Sequence, residues 1–343
     1  MRAARVLALV VLAAAPAAAA DFPLIDTHAH LDHAGNLGNL SYAMESALAT
    51  MDRLGIRLSI VEPPPQVSGR PVTYDCDRVG FLARDGKGRF RINGGGGRIN
   101  AFIQETAPDD VSDRVKARFR ERVDEVLGCG IVGFGEVAAH HMSLSQMGER
   151  HPYEWTPPDH PLLLMLADIA AERDIPIDLH LDLVPEDMPL PNRPIFNATN
   201  PRTLKANLAA FERLLDHNKA ARVIWAHAGS DPLQTKTPEV LRTLMMRHAN
   251  LYASIRPGMR GGPPPVAIFD GQLRIKGPWL ALLRDFPDRF VLGSDQFHPP
   301  SSAQRRTPSE GIDNLVKLID QLPPELARAI GSENANRLFK LAP

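Results

Sequence analysis

The chain has 343 residues, 44% of them hydrophobic, and a formal net charge of −1 at pH 7. This length and apolar content allow a large hydrophobic core. The near-neutral charge gives no basic footprint for nucleic acid, so we expect no nucleic-acid partner. Two cysteines, Cys76 and Cys129, are too few for a disulfide framework or a cysteine-based zinc site. We expect them to be two separate thiols.

The first twenty residues are typical of an export signal. Arg2 and Arg5 form a basic segment that precedes a short apolar run, and Ala18 and Ala20 stand at the small-residue cleavage positions. The run is shorter than the ~20 residues of a membrane span, which argues against a retained anchor. We expect cleavage after Ala20, leaving residues 21–343 as a single exported domain without membrane contact. In a bacterium with two membranes this domain would be periplasmic.

Eight short apolar segments are predicted to be β-strands, at residues 23–30, 57–62, 98–105, 130–137, 175–182, 221–229, 250–257 and 289–297. Segments of helical periodicity lie between most of them, at 41–54, 109–127, 160–173, 203–218, 238–248 and 278–286. The second and third strands lack an intervening helix. The glycine-rich stretch NGGGG (93–97) between them is interpreted as a flexible loop.

This alternation of strands and helices predicts an α/β fold with a parallel sheet. Eight units in a chain of this length fit a (β/α)8 TIM barrel, whose active site lies at the carboxyl ends of the strands. A doubly wound open sheet is the alternative. No glycine-rich dinucleotide fingerprint follows the first strand, which favours the barrel.

The stretch DTHAHLDH (26–33) begins in the first predicted strand and extends three residues past its end. Because side chains alternate along a strand, His28 and His30 share one face and Ile25, Thr27 and Ala29 the other. If the second face packs on the helices, both imidazoles point into the barrel. An H-x-H spacing on a strand then directs two nitrogens toward one metal ion.

Four other strands carry a polar residue near their carboxyl ends. Alternation pairs Glu136 with Phe134 and His227 with Trp225 on inward faces, and it also turns His180 and Asp295 inward. These positions converge in a barrel. The predicted metal ligands are therefore His28, His30, Glu136, His180, His227 and Asp295.

At this point the chain resembles the amidohydrolase superfamily. DTHAH, GFGEV, IDLHLD, VIWAHAG and VLGSDQF match its landmarks in order, and IGSENANRLFKL (330–341) is similar to its closing helix. The resemblance covers residues 24–341. Within the superfamily, the chain is similar both to TatD-type hydrolases and to the amidohydrolase-related branch. That branch includes hydrolases and decarboxylases.

The resemblance also implies how the ligands are divided. His28, His30 and Asp295 would bind a first ion, His180 and His227 a second, and Glu136 would bridge the two. In branches with a single ion, His227 would instead polarise the substrate or handle protons, and Glu136 would support the ligands. We favour two ions.

Nitrogen and oxygen donors without cysteine suit Zn2+, with Mn2+, Co2+ or Fe2+ as alternatives. We expect a hydrolase in which a metal-activated water attacks a small ester, lactone, phosphoester or amide, and Asp295 is the catalytic residue that accepts its proton. A mononuclear decarboxylase or hydratase is one alternative, and a non-catalytic exported binding protein is another.

Arg256 stands at the end of the seventh strand, on the face of Tyr252 and Ser254 that alternation turns inward. Its guanidinium binds carboxylate or phosphate as a planar fork. We expect it to bind substrate, which would then be a small anionic molecule. The alternative is a salt bridge to a carboxylate of the barrel. Neither substrate identity nor oligomeric state follows from the sequence.

Overall fold

The computed structural model describes residues 22–33, 36–67, 74–258, 266–300 and 310–341. The export signal predicted at residues 1–20 lies outside these ranges. Within them, none of the helices combines the length and the apolar character that crossing a bilayer requires.

A closed barrel of eight parallel strands forms the centre of the molecule. It consists of β1, β2, β3, β4, β6, β9, β10 and β11, and closes where Asp26 of β1 pairs with Leu292 of β11. The (β/α)8 barrel predicted from the sequence is confirmed. The strands in chain order are β1 (Leu24–Leu31), β2 (Ile56–Val61), β3 (Phe90–Gly95), β4 (Gly133–His141), β5 (Glu154–Trp155), β6 (Ile177–Leu181), β7 (Met188–Pro189), β8 (Thr203–Leu204), β9 (Val223–Ala228), β10 (Leu251–Ile255), β11 (Phe290–Leu292) and β12 (Gln296–His298).

Helices surround the barrel and bury one face each. In α5 (Asp113–Leu127), for example, Phe119, Val123 and Val126 are buried, and the Ser112 side chain caps the first turn by accepting from the Val115 N–H. The helices are α1 (Leu40–Leu54), α2 (Cys76–Val79), α3 (Phe81–Asp85), α4 (Ile99–Gln104), α5 (Asp113–Leu127), α6 (Pro161–Arg173), α7 (Leu208–His217), α8 (Pro238–Arg247), α9 (Gly277–Asp285), α10 (Glu310–Ile319), α11 (Pro324–Arg328) and α12 (Asn334–Leu338).

The core has an outer and an inner layer. The outer layer lies between strands and helices and contains, for example, Trp225 against Phe211 of α7. The inner layer fills the barrel with apolar side chains from β1, β2, β9 and β11, covered by α12 and the residues after it. Ile25 belongs to this inner layer, so its predicted position facing the helices was wrong. The apolar filling leaves the opposite end of the barrel, where the strands finish, for polar side chains.

The third strand is not where the sequence pattern placed it. Residues 98–105, predicted to be a strand, contain α4, whose Ile99 and Ile103 are buried one turn apart. The third strand is Phe90–Gly95 and includes part of the stretch predicted to be a flexible loop. A Cβ on Gly94 would lie 2.8 Å from Val126 and 3.0 Å from Ile131. Glycine is present there because α5 packs closely on the strand, and not for flexibility.

Cys76 and Cys129 form a disulfide, with Cα atoms 6.0 Å apart, so the expectation of two separate thiols was wrong. The barrel brings the first residue of α2 next to the turn that follows α5. Sequence separation carries no information on this proximity, because it arises from two segments that pack on the same strand, β3.

Replacing both cysteines with serine should lower the free energy of unfolding by about 2–4 kcal/mol, because the bond closes a long loop in the unfolded chain. Urea unfolding of oxidised wild type and the double variant measures this. Reduction of the wild type should reproduce the loss, and reductant should leave the variant unchanged. Equal unfolding midpoints for both oxidised proteins would show that the bond does not constrain the unfolded chain.

Candidate metal centre

All six predicted ligands lie together at the carboxyl ends of the strands, and they form two clusters. In the first cluster, His28 Nε2 lies 3.2 Å from His30 Nε2 and 3.6 Å from Glu136 Oε2. His30 Nε2 lies 3.4 Å from Glu136 Oε2 and 3.3 Å from Asp295 Oδ1. His28 Nε2 and Asp295 Oδ1 are 3.9 Å apart. Three donor atoms from β1 and β4 thus face one another, and Asp295, between β11 and β12, approaches both histidines.

These separations fit one tetrahedral ion. Donor atoms about 2.1 Å from a tetrahedral ion are about 3.4 Å apart. The separations among the donor atoms of His28, His30 and Glu136 are 3.2, 3.4 and 3.6 Å. Two imidazole nitrogens and two carboxylate oxygens are a donor set that zinc and neighbouring transition metals accept. The first cluster therefore has both the chemistry and the spacing of a metal site.

The second cluster contains His180, His227 and the other oxygen of Glu136. Glu136 Oε1 lies 2.6 Å from His180 Nδ1 and 3.2 Å from His227 Nε2, and the two histidine nitrogens are 3.2 Å apart. Glu136 therefore presents Oε2 to the first cluster and Oε1 to the second. One carboxylate therefore has an oxygen in each of two clusters that could hold a metal ion.

Irregular backbone turns some of these side chains inward, and simple alternation does not explain them. Trp225 packs outside the barrel, so it does not share a face with His227 as expected. His227 has φ +64° and Asp295 φ +50°, both in the left-handed region. Such residues cost free energy and concentrate at functional sites. In β4, Phe134 packs outside while Glu136 points inward, because the pairing with β6 shifts register between Phe134 and Val137.

Three buried carboxylates that the sequence reasoning gave no role support these histidines. Glu62 Oε1 lies 2.8 Å and Asp178 Oδ2 3.2 Å from His28 Nδ1, the nitrogen that faces away from the first cluster. Asp182 Oδ2 lies 3.5 Å from His180 Nε2. The side chain of Glu62 is also close enough to count among the possible ligands. We assign it to support because it contacts Nδ1, whereas Nε2 faces the cluster.

Charges in the centre are strongly coupled. Burial opposes ionisation of Glu136, yet His28 and hydrogen bonds from His180 and His227 hold its pKa well below the usual range. Burial also opposes protonation of His30, but Asp295 and Glu136 raise its pKa to about 9. For His180, Asp182 and Glu136 outweigh burial and raise the pKa to about 10. The carboxylates around His30 and His180 thus favour positive charge, as a cation site requires.

His227 differs from the other histidines. Burial, together with repulsion from His28 and His180, outweighs Asp295 and Glu136 and lowers its pKa to about 3. It is therefore neutral at physiological pH, with a nitrogen available to a cation or a substrate proton.

Asp26, the first residue of the histidine motif, is not part of either cluster. Its carboxylate accepts hydrogen bonds from the backbone N–H and the hydroxyl of Ser294, at 2.9 and 2.6 Å. It therefore connects β1 to the segment that carries Asp295.

A cavity of about 380 Å³ opens above the two clusters. Proline, methionine, leucine and aromatic side chains form much of its wall, together with Arg256 and Asp295. Arg256 Nη2 lies 3.0 Å from Asp295 Oδ2 and Nη1 3.2 Å from Ser230 Oγ, and its side chain is 35% exposed. The salt bridge considered for Arg256 is thus present. Its exposed part still faces the cavity.

Solved structures resemble this fold at low sequence identity. An amidohydrolase II is 15% identical, with a TM-score of 0.51 over 93% of this chain and 100% of its own. A 2,6-dihydroxybenzoate decarboxylase, complexed with 2,6-dihydroxybenzoate, is 16% identical, with a TM-score of 0.50 over 93% and 99%. An Agrobacterium tumefaciens protein is 16% identical, with a TM-score of 0.50 over 94% and 95%. At these identities the likeness concerns the fold alone.

No significant match was found among functionally curated proteins. The amidohydrolase-2 family model, in contrast, matches residues 25–341, a span that includes all six predicted ligands. Members of this family are enzymes, among them hydrolases and decarboxylases. The chain belongs to the amidohydrolase-2 family.

Proposed function

We propose that the protein is a metal-dependent hydrolase with two ions bridged by Glu136. The observation that carries the proposal is the division of the Glu136 carboxylate, whose Oε2 faces His28 and His30 and whose Oε1 faces His180 and His227. A carboxylate serving one ion would not need metal-competent partners on both of its oxygens. The first cluster supplies two further nitrogens and Asp295, and the second supplies two nitrogens.

Zn2+ is the first candidate for both positions, and Mn2+, Co2+ and Fe2+ are alternatives. Divalent ions there would polarise a substrate carbonyl or phosphoryl oxygen and lower the pKa of water. The remaining chemistry belongs to side chains of the cavity.

Asp295 is the proposed general base. Although burial opposes ionisation, the Arg256 charge and a hydrogen bond from His30 lower its pKa, so its carboxylate is unprotonated at neutral pH. Its side chain is 14% exposed and lines the cavity, where it would meet both an attacking water and the leaving group. We propose that it takes a proton from the water and delivers it to the leaving group.

A single-ion lyase, such as a decarboxylase or hydratase, is the second candidate. The 2.6 Å contact between His180 Nδ1 and Glu136 Oε1 favours it, because this is a hydrogen-bond distance, shorter than the spacing of two donors on one ion. In that case one ion would occupy the first cluster. His227, neutral and buried beside it, would handle the substrate proton.

A substrate panel in water labelled with 18O distinguishes the candidates. The panel contains small esters, lactones, phosphoesters, amides and carboxylic acids, and is tested on protein loaded with Zn2+ or Mn2+. The hydrolase is expected to place one 18O atom in each product acid. Release of CO2 from a carboxylic acid, with no hydrolysis, would instead support the lyase. Tight anion binding without any turnover would support a binding protein.

We further propose that the substrate is anionic and that the exposed edge of Arg256 binds it. Replacing Arg256 with methionine should raise KM for an anionic substrate about 10- to 100-fold, since a hydrogen bond to a charged group contributes about 1.5–3 kcal/mol. Steady-state kinetics on a matched pair of anionic and neutral esters measures this. Equal changes in KM for the two esters would contradict a charge-selective role. Arg256 would then act only through its ion pair with Asp295.

A further inference from the structure

Glu62 follows β2 and contacts both histidines of the first cluster. Its carboxylate Oε1 lies 2.8 Å from His28 Nδ1, and its backbone carbonyl lies 2.8 Å from His30 Nδ1. Its backbone N–H donates to Ala29 O, between the two histidines, at 3.0 Å. Glu62 therefore contacts Nδ1 of both imidazoles, the nitrogen that faces away from the first cluster. It also fixes the strand segment between the two histidines.

The next residue extends this contact to a third ligand. Pro63 O accepts a hydrogen bond from the Glu136 N–H at 3.1 Å. Because Glu62 precedes a proline, its backbone is restricted to extended conformations, which fixes the direction of its carbonyl. The Glu62 side chain is held in turn by Asn93, whose Nδ2 donates to Glu62 Oε2 at 2.8 Å. All of these groups are buried.

We propose that Glu62 and Pro63 form a positioning element that orients His28, His30 and Glu136 for metal binding. The Glu62 carbonyl accepts from His30 Nδ1–H and fixes the tautomer in which Nε2 is free to ligate. The Glu62 carboxylate beside His28 Nδ1 favours the proton on that nitrogen, which Asp178 accepts. Glu62 acts through the histidines and touches neither ion nor substrate. The inference rests on the proposed function in one respect, that the first cluster binds a metal ion.

Asp178 approaches the same nitrogen of His28. Its Oδ2 lies 3.2 Å away and accepts the hydrogen bond of Nδ1, whereas Glu62 Oε1, nearer at 2.8 Å, makes an ion-pair contact without hydrogen-bond geometry. Asp178 therefore takes the proton of His28 Nδ1, and Glu62 adds a negative charge beside it. In Glu62→Gln the amide cannot satisfy both neighbours, because Asn93 Nδ2 and His28 Nδ1 are both donors. One donor must then face an NH2 group.

Calorimetric titration with Zn2+ of the full-length metal-free protein tests the proposal. Glu62→Gln is expected to weaken binding of one ion by about 10- to 100-fold. Glu121→Gln, the same change on the exposed face of α5, should leave it unchanged. Circular dichroism of each metal-free variant checks folding. Unchanged Zn2+ affinity in Glu62→Gln, or an equal loss in Glu121→Gln, would overturn the proposal. A wild type that binds no Zn2+ would contradict the proposed function instead.

A second measurement needs no variant and remains available if Glu62→Gln fails to fold. Nitrogen-15 spectra of histidine-labelled, Zn2+-loaded wild type report which ring nitrogen carries the proton. His28 and His30 should both be protonated at Nδ1 and bound to zinc through Nε2. Protonation at Nε2 of either residue would refute the positioning role.

Discussion

Asparagine in place of Asp295 should lower kcat by about 10²- to 10⁴-fold, the range by which a positioned general base accelerates proton transfer. The amide oxygen can still lie near His30 Nε2, where the carboxylate oxygen is 3.3 Å away. The amide cannot take a proton from water. We therefore expect the ion of the second cluster to be retained while turnover is lost, measured by kcat together with metal content.

Asp288→Asn is the matched control for this variant. Asp288 precedes β11 on the same segment of chain, but its side chain is 64% exposed and its ion-pair partner is Arg289. Its replacement should leave kcat unchanged. If Asp295→Asn kept its metal and its full turnover, Asp295 would not be the base and the hydrolytic mechanism would be wrong.

Glutamine in place of Glu136 should lower the metal content from two ions per chain to at most one. An amide offers a single oxygen, so its NH2 group must face one of the two clusters. The histidines that now share the carboxylate would lose their common counter-charge. We expect kcat to fall by at least about 100-fold, because removing a ligand also removes the orientation of the ions.

Glu121→Gln, on the exposed face of α5, serves as the control and should bind the same number of ions as the wild type. The comparison is the metal content of each protein after gel filtration, measured by inductively coupled plasma mass spectrometry. Two tightly held ions in Glu136→Gln would show that the carboxylate does not bridge.

The order of strands and helices was predictable from the sequence, except around β3. The segment INAFIQ reads as a strand because it is short and apolar, yet Ile99 and Ile103 are spaced by one helical turn. Gly94 before it reflects close packing against α5, and a Cβ on Gly96 or Gly97 would lie 2.2 Å from the carbonyl oxygen of Pro63 or Tyr74. Only the folded molecule reveals these contacts. The disulfide was missed for the same reason, since it joins segments that are adjacent only in the barrel.

The six candidate ligands were found because each is a polar residue near the end of a strand. The alternation argument itself was only partly correct. It turned His180 inward correctly, because β6 is regular there. It placed His227 and Trp225 together on an inward face. In the structure Trp225 packs outside the barrel, and the left-handed backbone of His227 turns its side chain inward. Backbone irregularity at strand ends is set by tertiary pairing and has no reliable signature in one sequence.

Glu62, in contrast, could have been predicted. Leu58 and Ile60 of β2 point into the barrel, and strict alternation continues from them to Glu62 at the strand end. Alternation alone therefore turns the Glu62 carboxylate inward at the end of β2, beside the two histidines of β1.

Metal count and position together test the central claim most directly. Protein loaded with Zn2+ and crystallised should contain two anomalous scatterers per chain at the zinc edge. One should lie among His28, His30 and Asp295, the other between His180 and His227, with one oxygen of Glu136 on each. A single scatterer in a protein that is fully active with one equivalent of zinc would contradict the bridged site.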